Sequence, residues 1–311
     1  MNILVTSLAL GSLYCLISAC VIFNYSYGKF LNISILAYIA LAPYVVGWIA
    51  GDDPSYIFFA VSCVITMVII SALAYAVDRL VFQQLEILTP AARVIASTCV
   101  LFIVLTFVSV VWPSGELVNN PLGINSFSLG GTQVLWIDIV SVTSALILLV
   151  AVGYFLTSTD MGHRVRALSA DRDVAQAYGI SRSGVSISVN VITGILCTVT
   201  GVLLASPGSP RSGVISVLFF ALVALCGVIV ARHRDVRICI IASFVIAFAQ
   251  TWSAAHVNEF DAFVADIMQA LGMSTTITLG PTFADRFVPF ALALLALIVI
   301  PSKWVKEDVH D

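Results

Sequence analysis

Charge is what this chain has least of. Asp, Glu, Lys and Arg make up 10% of its 311 residues while hydrophobic residues make up 60%, against roughly 25% charged in an ordinary soluble domain. So little charge cannot coat a water-facing globule, which excludes a soluble enzyme, and no basic tract suited to nucleic acid is present. Motifs that carry chemistry are missing too. There is no G-x-x-x-x-G-K-[ST] phosphate loop, no G-x-S-x-G elbow and no paired-carboxylate signature, so no catalytic residue is assigned. His163, His233, His256 and His310 are scattered without an i, i+4 pair or Cys neighbours, so no metal site is expected. The seven cysteines, Cys15, Cys20, Cys63, Cys99, Cys197, Cys226 and Cys239, lack any C-x-x-C pairing and read as small buried hydrophobes.

What is there is a series of long apolar runs. They lie near Ile3 to Phe23, Phe30 to Ala50, Ser55 to Val77, Pro90 to Trp112, Val134 to Thr157, Val185 to Ala205, Val214 to Ala231, Ile238 to His256 and Phe287 to Ile300. Most approach the ~20 residues needed to cross hydrocarbon. The last is the weakest, with Asp285 and Arg286 at one rim and Lys303 and Trp304 at the other. The first has no preceding basic residue and is longer than a signal-peptide core, so it is expected to be a mature span. The expected fold class is an all-α integral membrane protein, a polytopic bundle of about eight to nine transmembrane helices, with residues 1–311 forming one transmembrane domain.

Basic residues concentrate in the short loops on the cytoplasmic side of a membrane protein. With nine spans, one side collects Lys29, Arg79, Arg93, Arg164, Arg166, Arg172, Arg182, Arg232, Arg234, Arg237, Lys303 and Lys306, and the other only Arg211 and Arg286. The N-terminus is then expected outside and the C-terminus in the cytoplasm.

The loop 158–184 holds a charge-dense block, Asp160 to Arg182, in which seven of 23 residues are Asp or Arg. Each would cost roughly 2.5 to 3.5 kcal/mol at a bilayer centre, on the order of 15 kcal/mol or more together. The block must sit in water, on the cytoplasmic side. Asp171 can cap a helix, Asp173 favours its positive end, and Gly179 can supply the left-handed residue that stops it. That predicts a two-turn helix, Arg172 to Tyr178. Val174, Ala175 and Tyr178 share one face at i, i+1 and i+4, an apolar patch ringed by charge. Such a patch suits a shallow cleft on a partner; an ordinary solvated connector is the plainer alternative.

On the outer side, in the loop 257–286, Phe260, Phe263, Val264, Ile267, Met268 and Leu271 recur at helical spacing opposite Asp261, Asp266 and Gln269. This acidic amphipathic helix suits a lid or a ledge for an external partner, or simply a helix resting at the interface. Asn24 to Lys29 is expected to break the first two spans. Asn32, Ser34, Asn190, Thr193 and Gln250 are candidates for lining a polar solute path, since polar groups at membrane depth need protein or a watery cavity; for each taken alone, an interhelical hydrogen bond is the plainer role. Pro43 should kink the second span, and Gly47 with Gly51 forms a small-xxx-small packing pair.

Met161-Gly162 through Arg166-Ala167-Leu168, then Ala175 and Tyr178-Gly179-Ile180, resembles the cytoplasmic loop of branched-chain amino acid ABC importer permeases. Leu10-Gly11-Ser12-Leu13-Tyr14, Asp78-Arg79-Leu80-Val81, Gly201-Val202-Leu203-Leu204 and Phe290-Ala291-Leu292 through Pro301 are similar to other landmarks of that family, so the resemblance runs from Leu8 to Trp304. It implies a pore subunit that binds no cofactor itself and works with two cytoplasmic ATPases carrying ATP and Mg, a second permease subunit and an external solute-binding protein, in the inner (plasma) membrane of a prokaryote. The loop helix would be the coupling helix, with Val174, Ala175 and Tyr178 inserted and Arg164, Arg166, Asp171 and Arg172 orienting it before Gly179 ends it. The implied cargo is leucine, isoleucine or valine, or urea or a short amide.

Three segments depart from the family pattern. Asn32-Ile33-Ser34-Ile35-Leu36 stands where the family has Asn, an aromatic, Ala, His and Gly. Leu218-Phe219-Phe220-Ala221, leading to Gly227 and Arg232-His233-Arg234-Asp235, replaces a Gly-rich stretch. Asn258 to Arg286 is longer than the usual external loop. The rival reading is an ion-coupled secondary carrier, which needs intramembrane ionisable groups; only Asp78 and Asp138, at span ends, come near.

Overall fold

A computed structural model describes residues 2–51, 54–87, 89–113, 126–129, 132–205, 214–230, 236–257, 259, 288–292 and 294–295. The amphipathic stretch Phe260 to Leu271, most of the span Phe287 to Ile300, and Arg211, Arg232, Arg234, Arg286, Lys303 and Lys306 lie outside the described residues. The described residues include ten α-helices and one small hairpin, with a π-helical turn (Asp78–Phe82) and a 3-10 turn (Gln84–Ile87) after α3: α1 (Asn2–Gly28), α2 (Ser34–Ala50), α3 (Tyr56–Val77), α4 (Pro90–Val111), β1 (Ser126–Leu129), β2 (Thr132–Leu135), α5 (Trp136–Ser158), α6 (Asp160–Ala170), α7 (Arg172–Ala177), α8 (Arg182–Leu204), α9 (Val214–Val230) and α10 (Val236–Ala255). Within them, six helical stretches are long and apolar enough to cross a membrane: Ile3–Gly28, Tyr56–Phe82, Pro90–Val111, Trp136–Ser158, Arg182–Leu204 and Ile238–Ala255. At 17 residues each, α2 and α9 are shorter apolar helices where two further spans were expected.

Local chemistry sets the helix ends. The Ser55 hydroxyl accepts the Phe58 N–H at 3.3 Å to open α3, and Pro90 opens α4, where its missing N–H costs nothing. Gly51, at φ 75°, closes α2 by donating its N–H to the Gly47 carbonyl at 2.9 Å. Among the described residues, no atom of another element lies within 4 Å of where its Cβ would be, so within this chain Gly51 stops a helix rather than packing one, which corrects the small-xxx-small expectation. Asn24 to Gly28 does not break the first span either. Asn24 and Ser26 turn their side chains back to the carbonyls of Cys20 (3.2 Å) and Ile22 (2.9 Å), which satisfies them inside the helix. The break comes at Lys29, a non-glycine residue at φ 55°, a conformation uncommon outside glycine.

α1 and α2 form the centre. In the stretch Ile3–Gly28, 83% of the most apolar window is buried, against 11% for Trp136–Ser158. α1 packs on α5, α8, α9 and α10, and α2 packs on α3, α4, α8 and α9. Pro43 removes the hydrogen bond that the Ile39 carbonyl would otherwise accept, and α8 closes on that spot: a Cβ at Gly201 would run into the Ile39 carbonyl. Cys15, Cys20, Cys197, Cys226 and Cys239 are buried as expected, but Cys63 is half-buried and Cys99 faces outward. The hairpin, with Ser126 opposite Leu135 and Leu129 opposite Thr132, falls partly where the fifth span was expected to begin.

Candidate functional site

Two regions bring the sequence-selected residues together. The first is the loop between α5 and α8. Asp171 caps α7 as expected, its Oδ1 accepting the Val174 N–H at 3.1 Å. At the other end Gly179, at φ 81°, donates its N–H to the Gln176 carbonyl at 2.9 Å, and Ile180 donates to Ala175 at 3.1 Å. That pair of bonds is the Schellman stop.

The patch is divided rather than shared. Ala175 is 4% exposed and packs with Phe23, Tyr27, Val165, Leu168, Val185 and Val189. Val174 and Tyr178 stand out at 51% and 86% exposure. Ala175 therefore anchors α7 to the body instead of sharing the exposed face, which corrects the expectation that all three project together. Arg164 and Arg166 are exposed, and Arg166 also lines a cleft of about 230 Å³ between α1, α5 and α6. The backbone of Arg172 opens α7; its side chain lies outside the described part.

Sequence reasoning missed α6. The Thr159 hydroxyl caps it by accepting the Gly162 N–H at 3.0 Å. Gly162, Val165 and Leu168 form its buried face at i, i+3 and i+6, packed against Phe23 and Tyr27 of α1. A Cβ at Gly162 would collide with the Phe155 carbonyl. The spacing was visible in the sequence, hidden among charges.

The second region is a small polar cavity of about 10 Å³, lined among others by Asn24, Asn32, Tyr38, Asp78 and Asn190. A space of that size holds about one water, far short of an amino acid. The Asn32 Oδ1 accepts from the Ser34 N–H (3.2 Å) and hydroxyl (2.6 Å) at the start of α2. Asn190 donates its amide to the Ser186 carbonyl at 2.9 Å, and the Ser186 hydroxyl donates to Asp78 Oδ2 at 2.5 Å. Gln83 donates to the same oxygen at 3.0 Å. Asn24 donates to Thr193 Oγ1 at 2.7 Å, tying α1 to α8.

Asn32, Ser34 and Asn190 thus belong to one neighbourhood, with Thr193 at its edge. Gln250 does not: its Oε1 accepts the Tyr14 hydroxyl at 2.6 Å in the packing of α1 on α10, the interhelical role. Asp78, Ser186 and Asn24 were not selected from the sequence for this site. Asp78 reads as a span end, but a π-helical turn over Asp78–Phe82 carries α3 onward and leaves Asp78 buried.

An apolar bundle with a buried amide cluster and a capped, exposed helix belongs to the class of polytopic membrane proteins. The chain belongs to the family described as branched-chain amino acid transport system / permease component, whose model matches residues 3–299. It is thus a multi-pass transport permease. No individual curated protein matches the chain. Among solved structures, one titled "PsaBC from Streptococcus pneumoniae in complex with Fab" is similar at a TM-score of 0.47 and 14% identity, over 97% of this chain and 92% of that one. So distant a likeness carries no argument.

Proposed function

We propose that this chain is the permease subunit of an ABC importer, which moves a small polar solute by alternating access driven by two cytoplasmic ATPases. A branched-chain amino acid is the first choice of cargo, urea or a short amide the second. A second permease subunit, identical or homologous, completes the pore, and an external binding protein delivers the solute. ATP and Mg belong to the ATPases, and this chain contributes neither a cofactor nor an ATPase site. It lies in the inner membrane of a prokaryote with its N-terminus outside, its C-terminus inside and about eight to nine spans.

The observation that carries this reading is the division of α7. Ala175 fastens the helix to the body while Val174 and Tyr178 project, with exposed Arg164 and Arg166 nearby. A partner that binds two states unequally shifts the balance between them. α8 starts just after the Gly179 stop, and its Ser186 holds Asp78 beside the polar cavity. A push on α7 therefore has a short route to Asn190 and Asn32. The cavity represents the closed path, and passage requires α2 and α8 to part around those amides.

Buried Asp78 is the one observation that favours an ion-coupled carrier instead. The two readings separate when the chain is purified with its genomic neighbours, reconstituted and supplied with candidate solutes on the cognate binding protein. Stimulated ATP hydrolysis by leucine, isoleucine or valine is the expected result. Uptake that follows a proton or sodium gradient without ATP would overturn it.

A further inference from the structure

Between α3 and α8 an open groove of about 540 Å³ runs along the outside of the bundle, lined by Val64, Val68, Ala72 and Tyr75 on one helix and by Ile187 and Val191 on the other. Its floor follows from close backbone approach. A Cβ at Gly194 would collide with Ser71, first with its hydroxyl oxygen, which lies over the glycine and donates to the carbonyls of Met67 (2.6 Å) and Val191 (3.4 Å). Small Ala72 is thereby left between exposed walls of branched side chains. From Val64 to Tyr75 the groove follows roughly 16 Å of helix axis, about half of the ~30 Å hydrocarbon core. That is the depth of one leaflet.

One end is polar. Arg79, exposed, donates Nη1 to the Tyr75 hydroxyl at 3.2 Å. Asp78, the acid beside them, is buried and turned to Ser186 and Gln83. A guanidinium and a phenol hydroxyl at the end of a leaflet-deep apolar groove match a phosphate on an acyl chain.

We propose that this groove binds an anionic glycerophospholipid, one acyl chain lying along α3 and α8 and the phosphate seated on Arg79 and Tyr75. An apolar helix from a second permease subunit is the competing occupant. It would cover Arg79 without supplying an anion, which is costly at a lipid boundary. Binding in detergent is read without the proposed orientation of the chain.

The test uses the full chain in neutral detergent with phosphatidylglycerol or phosphatidylcholine added, counting bound lipid by native mass spectrometry. Phosphatidylglycerol should be retained over phosphatidylcholine, and Arg79→Gln should weaken its binding about fivefold. Ala72→Trp, which fills the groove and keeps the charge, should displace it. Equal retention of both lipids, unchanged binding by either variant, or crosslinking of Val68→Cys to a second permease subunit would each overturn the proposal.

Discussion

α6 and α7 follow one another in the same loop and mix charge with apolar residues in the same way, yet they are held very differently. Three residues of α6 are buried, Gly162, Val165 and Leu168, and its backbone approaches that of α5 so closely that Gly162 has no room for a side chain. Among the described side chains, the buried anchor of α7 is a single methyl group, that of Ala175, while Val174 and Tyr178, just past its end, face away from the protein. The comparison separates a fixed bracket from a presented helix. Burial of a Leu or Val side chain stabilises by about 1.5 to 3 kcal/mol, so α6 has several times the hold that α7 has.

Substitutions that test this contrast should differ in size. Val165→Asp places a carboxylate in the cluster under α6 and should cost about 3 kcal/mol or more, seen as loss of monodisperse protein in detergent and a lowered Tm. Gly162→Val forces α6 off α5 and should cost about 2 kcal/mol, with Tm again the readout. Asp171→Ala removes only the cap of α7, about 1 kcal/mol. Amide exchange should then rise about fivefold in residues 172–177 while α6 keeps its protection. Gly179→Ala, forced into a left-handed conformation, should loosen the end of α7 by about 1 kcal/mol, with the same exchange signature confined to its last turn.

What was legible in the sequence follows the range of the interactions. The Asp171 cap and the Gly179 stop are decided within a few residues, and both stand where expected. Apolar runs likewise marked the helices α1 to α5 and α8 to α10, because composition alone sets them apart. Ala175 was misassigned because Val174, Ala175 and Tyr178 do lie on one arc of a helix, and only the position of α1 and α8 decides which part of that arc faces in. The same holds for the polar cavity. Asn32, Ser34 and Asn190 are conspicuous as polar residues in apolar runs, but their meeting with Asp78 depends on α2, α3 and α8 converging. Gln250, equally conspicuous, finds Tyr14 instead. The extension of α1 through Gly28 was hidden because Asn24 and Ser26 look like breakers until their side chains are seen bonded one turn back.

The central claim is that α7 presents its outer face to an ATPase while its inner face holds it to the permease. Tyr178→Asp combined with Val174→Asp tests it directly, because both side chains are exposed. ATPase recovered with the purified chain and the chain's own Tm are measured together. The account predicts a loss of copurifying ATPase of about tenfold or more with the Tm unchanged; full copurification, or a loss matched by a fall in Tm, would contradict it.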